Sequence, residues 1–225
     1  MDRGQLIVFE GPEGAGKTTQ LQRLAARLTS EGLNTLVVRE PGGTPLGDSI
    51  RQILLHSGDQ ISPSAEALLF MASRAELVQR KIDPALARGV VVLMDRFFLS
   101  TYAYQIEGRG LSEAAIRAAN TLASGGLVPD LTLVIEVPAA EGMARASARS
   151  ANDRIESSGA EFHARVGRAF GRFAEPDWQK DHRECGQIVA IDGRDSLEDV
   201  HSRVVSALAQ NLPQRFGMLA EAATR

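Results

Sequence analysis

The chain has 225 residues, 44% of them hydrophobic, and a formal net charge of −3; that length suits one domain with a sizeable core, and that charge excludes the basic footprint of a nucleic-acid binder. Its one cysteine, Cys185, excludes an internal disulfide and fits a reducing compartment. No apolar run approaches the roughly 20 residues that cross a bilayer, and a first strand beginning by Gln5 leaves no room for a signal peptide, so the expectation is a soluble cytoplasmic protein with neither membrane nor nucleic acid as partner.

Apolar runs alternate with helical stretches from one end to the other, which predicts an α/β fold with a parallel sheet and helices on both faces. In chain order the strands are QLIVFE (5–10), NTLVVR (34–39), VVVLMD (90–95), LTLVIEV (131–137) and QIVAID (187–192). Several are continuously apolar, as strands buried on both faces are. Between them, a helix runs from Lys17 to about Glu31 and stops at Gly32, and a short one covers 46–56. A longer helical stretch begins at Ser62–Pro63, a capping serine followed by a first-turn proline. One or two helices follow Phe98, Ser112 suits the cap of a helix over 113–124, and further helices are read at 139–149 and 161–181. Ser196 caps the last, over 197–211, and the segment after Pro213 is an extra helix or a loose end. The polar stretch SANDRIESS (150–158) sits between two helices.

Residues 8–20, VFEGPEGAGKTTQ, hold the most specific signal. Gly11, Gly16, Lys17 and Thr18 satisfy G-x-x-x-x-G-K-[ST] between a strand and a helix, where the mechanism of a phosphate-binding loop requires it. Backbone N–H groups and the helix N-terminus face the anion, Lys17 reaches the β and γ phosphates, and the Thr18 hydroxyl ligates Mg²⁺. Gly11, Glu13, Gly14, Ala15, Gly16, Lys17, Thr18 and Thr19 are therefore the candidate ATP-binding residues. Asp95 ends the third strand, where a carboxylate faces the ligand crevice and can hold Mg²⁺ or its waters.

The chain has no guanine-reading N-K-x-D, and it is short for a motor or a multidomain ATPase. A small-molecule kinase needs a second anion site. Arg51, Arg74 and Arg96 are candidates for it, and Arg145, Arg149 and Arg154 lie in or beside a segment read as a lid over roughly residues 145–160. Guanidinium groups suit this task because they donate bidentately and stay charged. No general base is evident. A phosphate acceptor needs none, since a monoester is mostly dianionic at neutral pH.

In these motifs, FEGPEGAGKTT, REPGGTPLGDSIRQILL, EALLFMASRAELV, MDRFFLSTYAYQ, GLVPDLTLVIEV and NDRIE, the chain resembles the bacterial-type thymidylate kinases over about Gln5 to Leu212. The resemblance implies a P-loop three-layer sandwich with a five-stranded parallel sheet, helices on both faces and a short lid, in a single kinase domain over 1–225 with a tail from about 213. It implies transfer of the γ-phosphate of ATP to dTMP with Mg²⁺, and a homodimer. Position by position, it implies that Glu13 hydrogen-bonds the acceptor's 3′-hydroxyl and that Phe70 stacks on thymine. Arg74 would bond the base edge, and Ser73, Thr101 and Gln105 would complete base recognition with Ser100 beside them. Arg51 and Arg96 would grip the acceptor phosphate, Tyr104 would crowd the 2′ position, and Asp95 would organise the metal. With Ala15 in the loop, the lid would supply the catalytic arginine, from Arg149 or Arg154. The turn at REPGG would shape the acceptor site, with a cis bond expected before Pro41.

Phe97 stands where tyrosine is common, IEGRG follows Gln105 where more glycine is usual, and Glu107 puts an acid beside the acceptor pocket, expected to point outward. The alternatives are a kinase for another pyrimidine monophosphate such as dUMP or UMP, and a nucleotide-binding module without turnover.

Overall fold

A computed structural model describes residues 3–57, 60–147, 154–155 and 157–221. The predicted strands all form, each one residue shorter: β1 (Leu6–Glu10), β2 (Thr35–Arg39), β3 (Val91–Asp95), β4 (Leu131–Glu136) and β5 (Ile188–Asp192). They make one all-parallel, five-stranded sheet in the order β2-β3-β1-β4-β5. Phe9 and Arg39 both stand in register with Asp95, so the carboxyl ends of β1, β2 and β3 open onto one edge. That edge, with neighbours of the central strand on either side, is where an open parallel sheet takes its ligand.

Alternation along the strands divides the core in two. Leu6, Val8, Val92, Met94 and Val38 face one side, against α2 (Pro45–His56), α3 (Pro63–Leu77) and α8 (Ala160–Phe173). Ile7, Phe9, Val91, Leu93 and Leu133 face the other, against α1 (Lys17–Ser30) and α10 (Leu197–Asn211).

The helix ends follow local chemistry. The N–H groups of Gly32 and Leu33 return to the carbonyls of Thr29 and Leu28, with Gly32 at φ +80°, so α1 stops where its glycine stands. Thr44 caps α2 by accepting from Gly47 N at 3.0 Å, and Ser196 caps α10 by accepting from Asp199 N at 3.2 Å. Ser62 and Ser112 occupy the predicted cap positions, of α3 and of α6 (Glu113–Ser124), in extended conformation, but neither hydroxyl makes the capping bond.

Several sequence expectations are revised. The helix read over 161–181 is two, α8 and α9 (Pro176–Asp181); Pro176 drives Glu175 to an extended conformation and ends the first. After α3, the turn Val78–Ile82 widens to a π-helix before α4 (Asp83–Ala87), where Pro84 lacks the N–H for a regular turn. A second π-helical stretch, Tyr102–Gly108, follows the short α5 (Phe98–Thr101), with Arg109 N–H bonded to the Tyr104 carbonyl five residues back. α7 covers Ala139–Ser147. Of the segment read as a lid, 148–153 and 156 lie outside the described residues, and so does Arg149. The tail is no loose end up to Glu221: α11 (Pro213–Phe216) and α12 (Met218–Glu221) bury Phe216 and Leu219 beneath α10. Among the described residues, no helix is long and apolar enough to cross a membrane.

Candidate active site

The P-loop wraps the carboxyl end of β1. Gly14 adopts φ +70° and passes so near α7 that a Cβ there would lie 2.0 Å from the Gly142 carbonyl oxygen, so only glycine fits. Gly16, at φ +90°, turns the chain into α1 without any side-chain cap, which leaves the first N–H groups of that helix available to an anion. Lys17 Nζ donates to the Pro12 carbonyl at 2.7 Å. Burial, followed by the nearby Arg96 guanidinium, lowers the Lys17 ammonium pKa from 10.5 to about 8. Thr18 Oγ1 lies 2.5 Å from Asp95 Oδ2. A hydroxyl beside a single carboxylate at the strand edge is a hard-oxygen donor set of the kind Mg²⁺ uses when phosphates and water supply its other ligands. Among the described residues no cluster of three or more His, Cys, Asp or Glu could hold a metal by itself.

A cleft of about 250 Å³ runs from this loop across the strand edge. Glu13, Gly14, Gly16, Lys17, Thr18 and Asp95 form one end, and Phe70, Arg74, Thr101 and Gln105 the other. Arg51, Arg96, Ser100 and Tyr104 also line it. Gly11, Ala15 and Thr19 belong to the same loop but do not line the cleft.

Arg96 has φ +72°, a left-handed backbone rarely adopted by a residue with a side chain. It is stabilised by its N–H bond to the Phe9 carbonyl (3.0 Å) and by the guanidinium's partners: the Gly11 carbonyl (3.3 Å), Ser100 Oγ (2.9 Å), Tyr104 Oη (3.5 Å) and the Glu13 carboxylate. The guanidinium beside Glu13 outweighs burial and lowers that carboxyl to about 2. Burial raises the Tyr104 phenol, so it stays protonated.

Two buried carboxylates that sequence reasoning missed organise this region. Glu10, at the end of β1, accepts from Phe97 N (2.7 Å), Ser100 N (3.0 Å) and Ser100 Oγ (2.7 Å), pinning the turn that carries Arg96. The argument that singled out Asp95, a carboxylate ending a buried strand, applies equally to Glu10. Glu40, beside the cis Glu40–Pro41 peptide, forms a buried ion pair with Arg74, whose Nε and Nη2 lie 2.9 and 2.6 Å from Glu40 Oε2. Arg74 also donates to the Phe97 carbonyl (3.0 Å) and to Asn120, and its guanidinium lies over the Phe97 and Phe98 rings. Its charge is thereby neutralised and four of its five N–H groups are committed. At 2% exposure, against 16% for Arg96, its side chain is the less accessible of the two to an acceptor phosphate, and one of its Nη1 N–H groups has no partner among the described residues.

Three further expectations change. Ser73 does not line the cleft; its hydroxyl, fully buried, accepts from Gly42 N at 3.0 Å and supports the REPGG turn. Arg154 does not line it either: Nε donates to the Leu54 carbonyl (2.8 Å) and Nη2 to Glu66 (2.7 Å), which docks it on α2 and α3 rather than over Lys17. Arg145 is paired with Glu141 on α7. Arg51 reaches the Pro41 carbonyl at 2.9 Å while lining the cleft. Glu107 does point outward, toward Arg172 on α8. Cys185 is buried, and Trp178 packs in the aromatic cluster of Tyr102, Phe173 and His182.

A phosphate loop on the central strand, a strand-end carboxylate beside its threonine, and one cleft joining them to an arginine-lined pocket define a P-loop nucleotide kinase. The family model described as thymidylate kinase matches residues 9–204. A thymidylate kinase from Synechococcus sp. is 48% identical over 207 residues, 92% of this chain and 95% of that protein. One from Pseudomonas fluorescens (strain Pf0-1) is 51% identical over 175 residues, 77% and 83% of the two chains. The crystal structure of thymidylate kinase from Ehrlichia chaffeensis superposes with a TM-score of 0.70 at 31% identity, covering 92% of this chain and 98% of that one. The chain belongs to the thymidylate kinase family.

Proposed function

We propose that this protein transfers the γ-phosphoryl group of ATP to dTMP, giving ADP and dTDP. The observation that carries the proposal is the continuity of the cleft: one cavity is lined by Lys17 and Thr18 at one end, by Phe70, Arg74 and Gln105 at the other, and by Arg51 and Arg96. In this reading the P-loop backbone and Lys17 hold the triphosphate. Arg51 and Arg96 draw the acceptor phosphate into line with it. The chemistry is positioning and charge stabilisation, because a monoester dianion attacks without losing a proton. Phe70 supplies the platform for thymine, with Arg74, Thr101 and Gln105 around the base edge. Glu13 takes the 3′-hydroxyl, and Tyr104, with Ser100 behind it, closes the space at the 2′ position. Thr18 and Asp95 would hold Mg²⁺, which supplies neutralisation of the charge that builds between the phosphates. Arg149 is proposed from sequence as the lid arginine, since Arg154 is engaged elsewhere.

We also infer a homodimer. Leu46 and Ile53 on α2, Leu68 on α3 and Leu122 on α6 are 52%, 49%, 63% and 84% exposed on helices that pack side by side. Large exposed apolar side chains gathered on neighbouring helices suit an association surface.

The experiment is phosphoryl transfer from ATP to a panel of monophosphates. dTMP is expected to be the preferred acceptor, and ADP and dTDP the products. Preference for a purine acceptor, or ATP binding with no transfer to any of them, overturns the reading.

A further inference from the structure

On α3, Glu66, Phe70 and Arg74 recur every four residues and so share a face. The cleft takes up Phe70 and Arg74. Glu66 lies behind it, 1% exposed, and accepts from three side chains: Arg109 Nε and Nη2 at 3.1 Å each, Arg154 Nη2 at 2.7 Å, and Gln105 Nε2 at 3.2 Å. We propose that Glu66 is a positioning residue for acceptor choice: it holds the Gln105 amide with its NH₂ turned inward, so that the carbonyl oxygen faces the base.

The reason is the hydrogen-bonding capacity of each group. Burial raises the Glu66 carboxyl, but the hydrogen bonds and charges of Arg109 and Arg154 outweigh it, and the group stays ionised. An ionised carboxylate only accepts. Of the two ends of the Gln105 amide it can therefore take only the NH₂. Gln105 is 2% exposed, and its Nε2 is held by Glu66 at 3.2 Å. Its Oε1 receives no hydrogen bond from any described residue, and the side chain lines the cleft. Facing the same pocket, Arg74 has one N–H uncommitted. These two side chains thus present one acceptor and one donor, beside the Thr101 hydroxyl, which can act as either.

That pair fits a pyrimidine with an N3–H and a 4-oxo group. Against cytosine both contacts turn repulsive, because its N3 is an acceptor and its 4-amino group a donor. A pocket that selects in this way works by mismatch as much as by attraction. The inference rests on the proposed seat of the base on Phe70.

The test compares dTMP with 5-methyl-dCMP, which differ only at the atoms in question, as acceptors for the full-length protein. The readout is the ratio of their kcat/KM values, with the KM for ATP and a melting curve alongside. In Glu66→Gln the amide at 66 can offer either end to Gln105, and the ratio is expected to fall by about tenfold or more, with the KM for ATP unchanged. A general packing defect would lower both acceptors together and leave the ratio in place. Gln105→Met removes the carbonyl itself and is expected to lower the ratio as well; should Glu66→Gln fail to give a cooperative melt, an unchanged ratio in Gln105→Met overturns the proposal. If the wild type phosphorylates dTMP and a folded Glu66→Gln keeps the full ratio, the role of Glu66 is wrong. If the wild type does not use dTMP, it is the site reading that fails.

Discussion

Arg96 and Glu13 form an ion pair in the cleft, the arginine on the turn after β3 and the glutamate inside the P-loop. Because Arg96 sits at φ +72° and donates to Gly11, Ser100 and Tyr104 as well, its guanidinium is preorganised before any substrate arrives. Preorganised charge is what a reaction between two anions requires.

Arg96→Ala should therefore lower turnover of dTMP by about a hundredfold or more, since an unpaired dianion cannot approach ATP cheaply. Steady-state kinetics at saturating ATP checks this, with circular dichroism to show that the fold persists. Near-normal turnover would contradict the role.

Acid should dissolve the same pair from the Glu13 side. Its carboxyl is at about 2 when folded and 4.5 ordinarily, chiefly because of Arg96. A lowered carboxyl pKa adds stability that is fully present above pH 4.5 and is lost as pH falls through 2. The difference in denaturation midpoint between wild type and Glu13→Gln should be largest at neutral pH and shrink steadily below pH 4.5. A difference independent of pH would mean that the pair does not act through charge.

Lys17 is shifted in the same direction, but there it is the charged form that folding disfavours. Without ligand its ammonium is lowered from 10.5 to about 8 by burial and then by Arg96. Between those values the unfolded chain binds more protons than the folded one, so this group's share of stability rises with pH across the window. A bound triphosphate favours the charged form. ATP binding at pH 8.5 should thus be accompanied by uptake of most of a proton, seen as a buffer-dependent enthalpy in titration calorimetry and abolished in Lys17→Met.

The apolar face of α2, α3 and α6 yields a prediction about assembly. Leu68→Glu combined with Leu122→Glu puts charge at positions 63% and 84% exposed in the protomer. It should leave the monomer folded and halve the mass measured by light scattering. A wild type that is already monomeric removes the dimer, and an unchanged mass in the variant removes this face as its seam.

Much of the architecture was legible in local pattern. Buried parallel strands read as apolar runs, Gly32 and Ser196 mark helix ends through backbone geometry that only their own residue types supply, and the P-loop's glycines answer to constraints within a few residues. The break at Pro176 was equally local and could have been read from the proline rule. The two π-helical turns had a weaker trace: Pro84 beside the first, and nothing plain for Tyr102–Gly108, which buries Tyr104 and Gln105.

The residue types at the site were also set by sequence, but their partners were not. Arg51, Arg74, Arg96 and Arg154 look alike along the chain. Folding gives Arg74 to Glu40, Arg96 to Glu13 and Arg154 to Glu66, and it spends the Ser73 hydroxyl on a backbone turn. The sequence alone determined the family of fold, the phosphate loop and the stock of charges. Only the tertiary structure decided which carboxylate each arginine meets, because secondary structure depends on neighbours a few residues apart, whereas these ion pairs join groups as many as 88 positions apart, and their strength depends on burial that only the assembled fold creates.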